Sequence, residues 1–331
     1  MSIKALRKIQ LGLETTAGTT CAATTLWRGT GMLDDQRTVE MPTEDVGYIS
    51  GIDRSYTPKL LAALVLEDTP ATFEQVAIFG TIGIKALTTG VTDSGGSGKV
   101  YTFPFGTNGA MTISSLTVEG GDDQEAEVME YAFAQDFKLS GGAGAAWIMG
   151  GTLLGRQVVP KAFTGSVSLP TVEEALFGKS KLYIDEVSGT LGATIKSNTF
   201  LGADFTGVTG YKPRFRDGGQ LYFSAPLGSP SQLGLNITFE HDAVGAAQKV
   251  AWRAETPKLI RVLVEGSNLT TAGVYSKKSI ILDLAGKWQK FEKIGERDGN
   301  DIIAGSFKPA YDPTAAFFAR LIVVNERATL P

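Results

Sequence analysis

One cysteine (Cys21) and one histidine (His241) are all that this 331-residue chain has of either residue. A lone cysteine excludes an internal disulfide framework. Together the two counts exclude zinc centres built on four cysteines or on paired cysteines and histidines, and any site needing two histidines. Charge of one sign is also lacking. Thirty-one basic residues stand against 35 acidic ones for a net −4, so the chain as a whole is no electrostatic clamp for nucleic acid. Long apolar runs are missing too. The most hydrophobic stretches, Ala145–Leu154 and Phe317–Val324, fall far below the roughly 20 residues that span a bilayer, so no membrane partner is expected. Met1–Leu13 carries Lys4, Arg7 and Lys8 without the apolar core of a secretory signal, which predicts synthesis in a reducing compartment.

Catalytic signatures fail one after another. No G-x-S-x-G nucleophile elbow occurs. Gly98-Lys99 ends a glycine-rich loop, but a phosphate-binding loop needs glycine where Asp93 stands and Ser or Thr where Val100 stands. Gly141–Ala146 lacks the G-x-G-x-x-G spacing of a dinucleotide fold. His241, between Glu240 and Asp242, reads as a solvated turn residue. The carboxylate-rich run Glu119–Glu130 (EGGDDQEAEVME) matches no calcium loop and reads as a hairpin tip. The expectation is therefore a protein with no enzyme activity, cofactor or metal.

What is present is β texture. Forty glycines punctuate short apolar runs such as Met111–Val118, Tyr131–Leu139, Lys181–Ile184, Leu233–Phe239, Leu259–Val264 and Ile280–Leu284. In YAFAQDFKL, alternation predicts that Tyr131, Phe133, Phe137 and Leu139 share one face. Three short helices are expected: one from a Thr69 cap and Pro70 to about Gly80, one in LPTVEEALFG (Leu169–Gly178), and one over Asp242–Trp252 with Asp242 as cap. Trp27, Trp147, Trp252 and Trp288 read as core, and Cys21 as a half-buried filler.

The two halves echo one another. Glu67 and Glu240, Gln75 and Gln248, and the segments Ile9–Thr20 and Leu182–Ala193 all repeat at an offset of about 173 residues. Leu116–Val118 resembles Ile281–Leu284. Residues 1–158 and 159–331 are thus expected to be two tandem domains. The acidic Glu119–Glu130 and the basic Lys277–Arg297 then occupy roughly equivalent places with opposite charge, a pattern suited to head-to-tail association.

Several further segments carry a resemblance. They are E-T-x-x-G-T (Glu14–Thr19) with TLWRGTGML (Thr25–Leu33), EDVGYISGIDRSYTPKL (Glu44–Leu60), LEDTPATFEQV (Leu66–Val76), and Ala310-Tyr311-Asp312-Pro313 ahead of ARLIVVNE (Ala319–Glu326). In order and over nearly the whole length the chain resembles the tail tube, or major tail, proteins of long-tailed bacteriophages, in the variety with two tube domains in one polypeptide. The resemblance implies a mainly β fold of two tandem β-sandwich domains, each with a short flanking α-helix. It implies rings of six tube domains, hence three chains, stacked helically into a virion tail after assembly in the host cytoplasm. Partners would be the chain itself, tail-tip and tail-terminator proteins, and phage DNA passing through the lumen without specific binding. On this reading Glu119, Asp122, Asp123, Glu125 and Glu127 are candidates to line the lumen or meet the adjacent ring. The competing expectation is another virion structural β protein, such as a capsid decoration subunit.

Overall fold

A computed structural model describes residues 3–331. Among the described residues there are 21 strands and two α-helices, so the chain is mainly β. No helix is long and apolar enough to cross a membrane.

Each half is organised by a long strand that changes partners midway. Ala126–Gly142 pairs first with Leu116–Gly121 and then, from Phe133 on, with Ile148–Gly155, both antiparallel. Lys277–Phe291 pairs first with Lys258–Asn268 and then with Asn300–Pro309, again antiparallel. Both second ladders slip by one residue at a glutamine. Gln135 is skipped between Ala134↔Leu153 and Asp136↔Thr152, and Gln289 between Trp288↔Phe307 and Lys290↔Ser306. A bulge of this kind bends the strand and increases its twist, so one strand can serve two sheets.

The other pairings repeat in the same order around the two long strands. Lys8–Leu13 pairs with Leu116–Gly121 as Ser180–Glu186 pairs with Lys258–Asn268. Ala62–Pro70 lies between Ile148–Gly155 and Gly31–Asp35, as Gln232–Glu240 lies between Asn300–Pro309 and Phe200–Val208. On the far side of the long strands stand Val158–Pro160 in one half and Ala319–Asn325 in the other. A helix follows the same strand each time: Val76–Gly83 after Ala62–Pro70, and Ala243–Arg253 after Gln232–Glu240.

The spacing of counterparts is not constant. The first half carries an additional strand, Lys99–Pro104, which crosses over to pair with Ala319–Asn325. Leu116–Gly121 therefore corresponds to Lys258–Asn268 and not to Ile281–Leu284, a correction to the sequence comparison.

Two helix expectations are also corrected. Thr69 and Pro70 end a strand, and the first helix begins at Val76, with the Gln75 amide donating to Thr72 Oγ1 at 3.2 Å. Every residue of that helix is buried. Gly80 lies inside it rather than at its end, and a Cβ there would sit 2.5 Å from the Phe103 ring. Leu169–Gly178 forms no α-helix. Its backbone is stitched instead between Ala71 and Trp147: the Ala175 amide donates to the Ala71 carbonyl, and the Trp147 amide to the Ala175 carbonyl, each at 2.8 Å. That route drops Ala175 and Phe177 into the core. The helix Ala243–Arg253 forms as expected, with Asp242 accepting from the Gly245 amide at 2.9 Å.

The bulge overturns one more expectation. Because Gln135 adds a residue, Phe137 and Leu139 face the main core whereas Phe133 and Tyr131 face a separate cluster with Tyr211 and Phe223. One main cluster draws on both halves, with Phe79, Phe103 and Trp147 beside Phe205, Phe239 and Trp288. The halves are also tied by ions. Lys278 donates to buried Glu74 at 2.7 Å and lies 3.4 Å from Glu173. Trp27, Trp147 and Trp288 are buried, Trp252 and Cys21 are half-buried, and His241 is exposed.

Candidate assembly surface

The bulged part of the first long strand joins the halves into one continuous sheet by pairing with Phe200–Val208. Edge to edge it runs Gly31–Asp35, Ala62–Pro70, Ile148–Gly155, the second part of Ala126–Gly142, Phe200–Val208, Gln232–Glu240, Asn300–Pro309, and the second part of Lys277–Phe291. All eight strands are antiparallel to their neighbours, and the first four have the same order as the last four. The junction between halves is the ladder from Gly202↔Gly142 to Val208↔Asp136, with Phe205 opposite Leu139.

Alternation gives this sheet two unlike faces. Leu64, Leu153, Phe205, Leu235, Phe307 and Trp288 point into the core. The opposite face mixes polar side chains with exposed Met32, Val65, Ile148 and Val208. One row crosses six strands as Ile148, Ser140, Asp204, Asn236, Ser306 and Lys290. Thr152, Asp136 and Thr206 continue it. Its charges are mostly answered locally: Lys138 reaches Asp68 at 2.7 Å, and Asp136 accepts from the Thr152 amide at 3.1 Å.

Among the described residues no strand pairs with the outer side of Gly31–Asp35, nor with the outer side of the second part of Lys277–Phe291. Both edges carry charge. Beside the first stand Asp34, Asp35, Glu125 and Glu127, with Arg37 3.4 Å from Asp35 and Arg7 and Lys8 lining the same cleft. The Glu127 carboxyl is pushed above its ordinary range by burial, then by neighbouring Glu125 and Asp35. Along the second stand Lys287, Lys290 and Lys293, all exposed, with Lys290 bonded to Glu292 at 2.5 Å. Unpaired strand edges are templates for another chain.

The five carboxylates singled out from the sequence separate into two groups. Glu119 is fully buried and accepts from the Thr164 amide and hydroxyl, each at 2.7 Å, with Lys161 at 3.6 Å. It cannot line a lumen or meet another ring, because its oxygens are spent inside the fold. Asp122, Asp123 and Glu125 form the hairpin between Leu116–Gly121 and the long strand, where Asp122 Oδ1 accepts from the Gln124 and Glu125 amides. Glu127 follows at the start of the long strand. This hairpin lies off the polar face of the eight-stranded sheet and beside its Gly31–Asp35 edge, where Asp122, Glu125 and Glu127 line a shallow cleft with Met32 and Leu33. Acids on the polar face itself include Asp34, Asp68, Asp136 and Asp204, which the sequence reading missed. The signal was available in ADFTGV and AQDFKL, where polar residues alternate with Phe205, Phe137 and Leu139.

Next to the Gly31–Asp35 edge an arm of residues 36–61 extends from the body. It is closed at its base by Glu40↔Tyr56 bridging and carries exposed Met41, Tyr48 and Ile49. Among the described residues no cluster of three or more His, Cys, Asp or Glu could hold a metal ion. No protein-family model matches the chain, and no curated protein matches it in sequence.

Proposed function

We propose that the chain is a structural subunit of a phage tail tube, with residues 1–158 and 159–331 as its two tube domains. The observation that carries this reading is the eight-stranded sheet with matching four-strand blocks and two unpaired edges. A sheet of repeated blocks with open ends continues by head-to-tail addition, and the strand twist decides whether it closes. Three such sheets closed edge to edge give a barrel roughly 45–50 Å across at the backbone, for strands about 4.8 Å apart and tilted about 40°. That leaves room for a DNA duplex.

In such a barrel the core face packs outward against the rest of each subunit, and the polar face becomes the lumen wall. Small hydroxyl and amide side chains offer DNA no strong foothold, and Asp34, Asp136 and Asp204 repel phosphate. Lysines there would hold the duplex through counterion release. Lys138 is partly neutralised by Asp68 and Lys290 by Glu292, and exposed Lys308 stands on the same face. Stacked rings would engage tail-tip and tail-terminator proteins at the two ends of the tube within the virion. Negative-stain electron microscopy of the concentrated recombinant protein tests the reading. Hollow tubes or stacked rings are expected. Compact monomers that persist after addition of a tail-tip complex would overturn it.

A further inference from the structure

The second half carries a pair of cations gathered on one buried acid. Asp283 is fully buried between the core residues Leu282 and Leu284, so its side chain leaves the opposite face of the strand. Arg261 donates to it through Nε at 2.6 Å and Nη2 at 2.9 Å, and Arg320 through Nε at 2.7 Å. The two guanidinium groups meet at its Oδ2. One negative charge thus faces two positive ones, and among the described residues no other acid pairs with either arginine. We propose that Arg261 and Arg320 form a receptor for a carboxylate carried by an acidic segment of a partner polypeptide. The site lies outside the eight-stranded sheet and does not depend on the tube reading.

The first half shows that the fold works without this pair. On its matching face the cross-strand row is Gln10↔Glu119↔Val128↔Val159, against Tyr183↔Arg261↔Asp283↔Arg320 in the second half. Valines therefore stand on the two strands that correspond to those of Asp283 and Arg320. Packed apolar side chains commonly stabilise a protein as well as a buried ion pair does, so stability alone does not account for the charges. The cover over the two rows differs as well. In the first half the chain lays Lys161–Thr164 over its own row and brings donors to Glu119: the Thr164 amide and hydroxyl, and the Lys161 ammonium. In the second half the corresponding strand, Ala319–Asn325, leads into a tail that bonds elsewhere. The Gly90 amide donates to the Ala328 carbonyl at 3.2 Å, and the Leu330 amide to the Thr88 carbonyl at 2.8 Å. Arg261 and Arg320 keep 24 % and 35 % of their side chains exposed.

What stays open suits a carboxylate. Arg261 spends Nε and Nη2 on Asp283 and keeps Nη1, while Arg320 spends Nε and keeps both terminal nitrogens. Guanidinium donors lie in one plane and match the two oxygens of a carboxylate. Asp283 and the Phe317 ring, 5.0 Å from the Arg320 guanidinium carbon, hold the groups in place beforehand, so little side-chain freedom is lost on binding. At the rim stands Gly192, where a Cβ would come within 2.8 Å of Arg261 Nη1; glycine leaves that nitrogen clear. Asp185 and Glu265 stand on the same face of these strands and disfavour a polyanion such as nucleic acid. In the first half a strap brings donors to an acid. In the second half the donors are already in place, and the matching strap is one that brings the acid.

The test follows the arginine Nε–Hε signals of the soluble subunit, labelled at arginine, by nuclear magnetic resonance at low salt. The probe is an acetylated, amidated peptide carrying two glutamates among glycine and serine. The expected result is a saturable shift of the Arg261 and Arg320 signals that the glutamine version of the peptide does not produce. Arg320→Gln should weaken binding at least about tenfold, and Arg320→Lys nearly as much despite its equal charge, because an ammonium offers no fork. Lys249→Gln removes the same charge elsewhere and should stay within about twofold of the parent chain. Melting temperatures identify any variant that fails to fold. Arg320→Lys keeps a cation beside Asp283 and carries the comparison if Arg320→Gln unfolds. Signals that do not move, or peptide binding that Arg320→Lys leaves intact, overturn the receptor. Saturation by inorganic phosphate where the peptide has no effect overturns the carboxylate assignment and makes the site one for phosphate.

Discussion

Replacing Glu119 by Ala should destabilise the isolated subunit rather than its stacking. The side chain is fully buried and accepts two hydrogen bonds from Thr164 at 2.7 Å. Turned so that its nitrogen faces the carboxylate, the Gln10 amide adds a third at 3.0 Å. Hydrogen bonds to a charged group contribute about 1.5–3 kcal/mol each, and removal leaves the half-buried Thr164 amide without its acceptor. Losses within one network do not add fully, so the net cost is about 3–5 kcal/mol, the range for breaking a buried charged contact. Each kcal/mol lowers the melting temperature by about 2–4 °C in a unit of 150–250 residues, so the first thermal transition should fall on the order of 10 °C. Differential scanning calorimetry at neutral pH, with exposed Asp123→Ala as reference, reads this directly. A Glu119→Ala subunit that melts within about 2 °C of Asp123→Ala, yet fails to assemble, would refute the reasoning and return Glu119 to a contact role.

Three other outcomes follow from the geometry. Lys278→Met leaves buried Glu74 without its cation and should cost about 3–5 kcal/mol, seen as a lower melting temperature; an unchanged one would contradict the pairing. The Glu173 carboxyl, although burial raises it, is held below the usual carboxylate range by hydrogen bonds from Ser267 and by Lys278. Its contribution is present above the ordinary glutamate value of about 4.3 and is lost as pH falls through the lowered one, so acid unfolding below that value should be shallower in Lys278→Met; identical profiles would contradict this. Gly80→Ala should destabilise by about 1–3 kcal/mol despite the better helix propensity of alanine, because the added methyl meets Phe103; chemical denaturation showing a gain would contradict it.

Strands were legible wherever apolar alternation was regular, as in Leu233–Phe239 and Ile280–Leu284. The second helix was legible through its Asp242 cap. What misled was local pattern without tertiary context. LPTVEEALFG has helical spacing, but Ala71 and Trp147 offer its backbone better partners than its own turns do. A helix start read at Thr69-Pro70 was in fact the end of a strand held by Ile148. The bulge at Gln135 carries no composition signal, and without it every side chain beyond is assigned to the wrong face. The echo between halves was audible at Glu67 and Glu240, yet an additional strand shifted later counterparts out of step. Charge alone drew attention to Glu119, although burial depends on Thr164, 45 residues away.

The central claim is that the eight-stranded sheet continues from copy to copy until it closes. Native mass spectrometry of the smallest closed species formed by the recombinant chain tests it most directly. The account predicts three chains, about 105 kDa from three subunits of 35.1 kDa, with no discrete dimer at saturation. A stable two-chain species of twofold symmetry would pair like edge with like edge and contradict it.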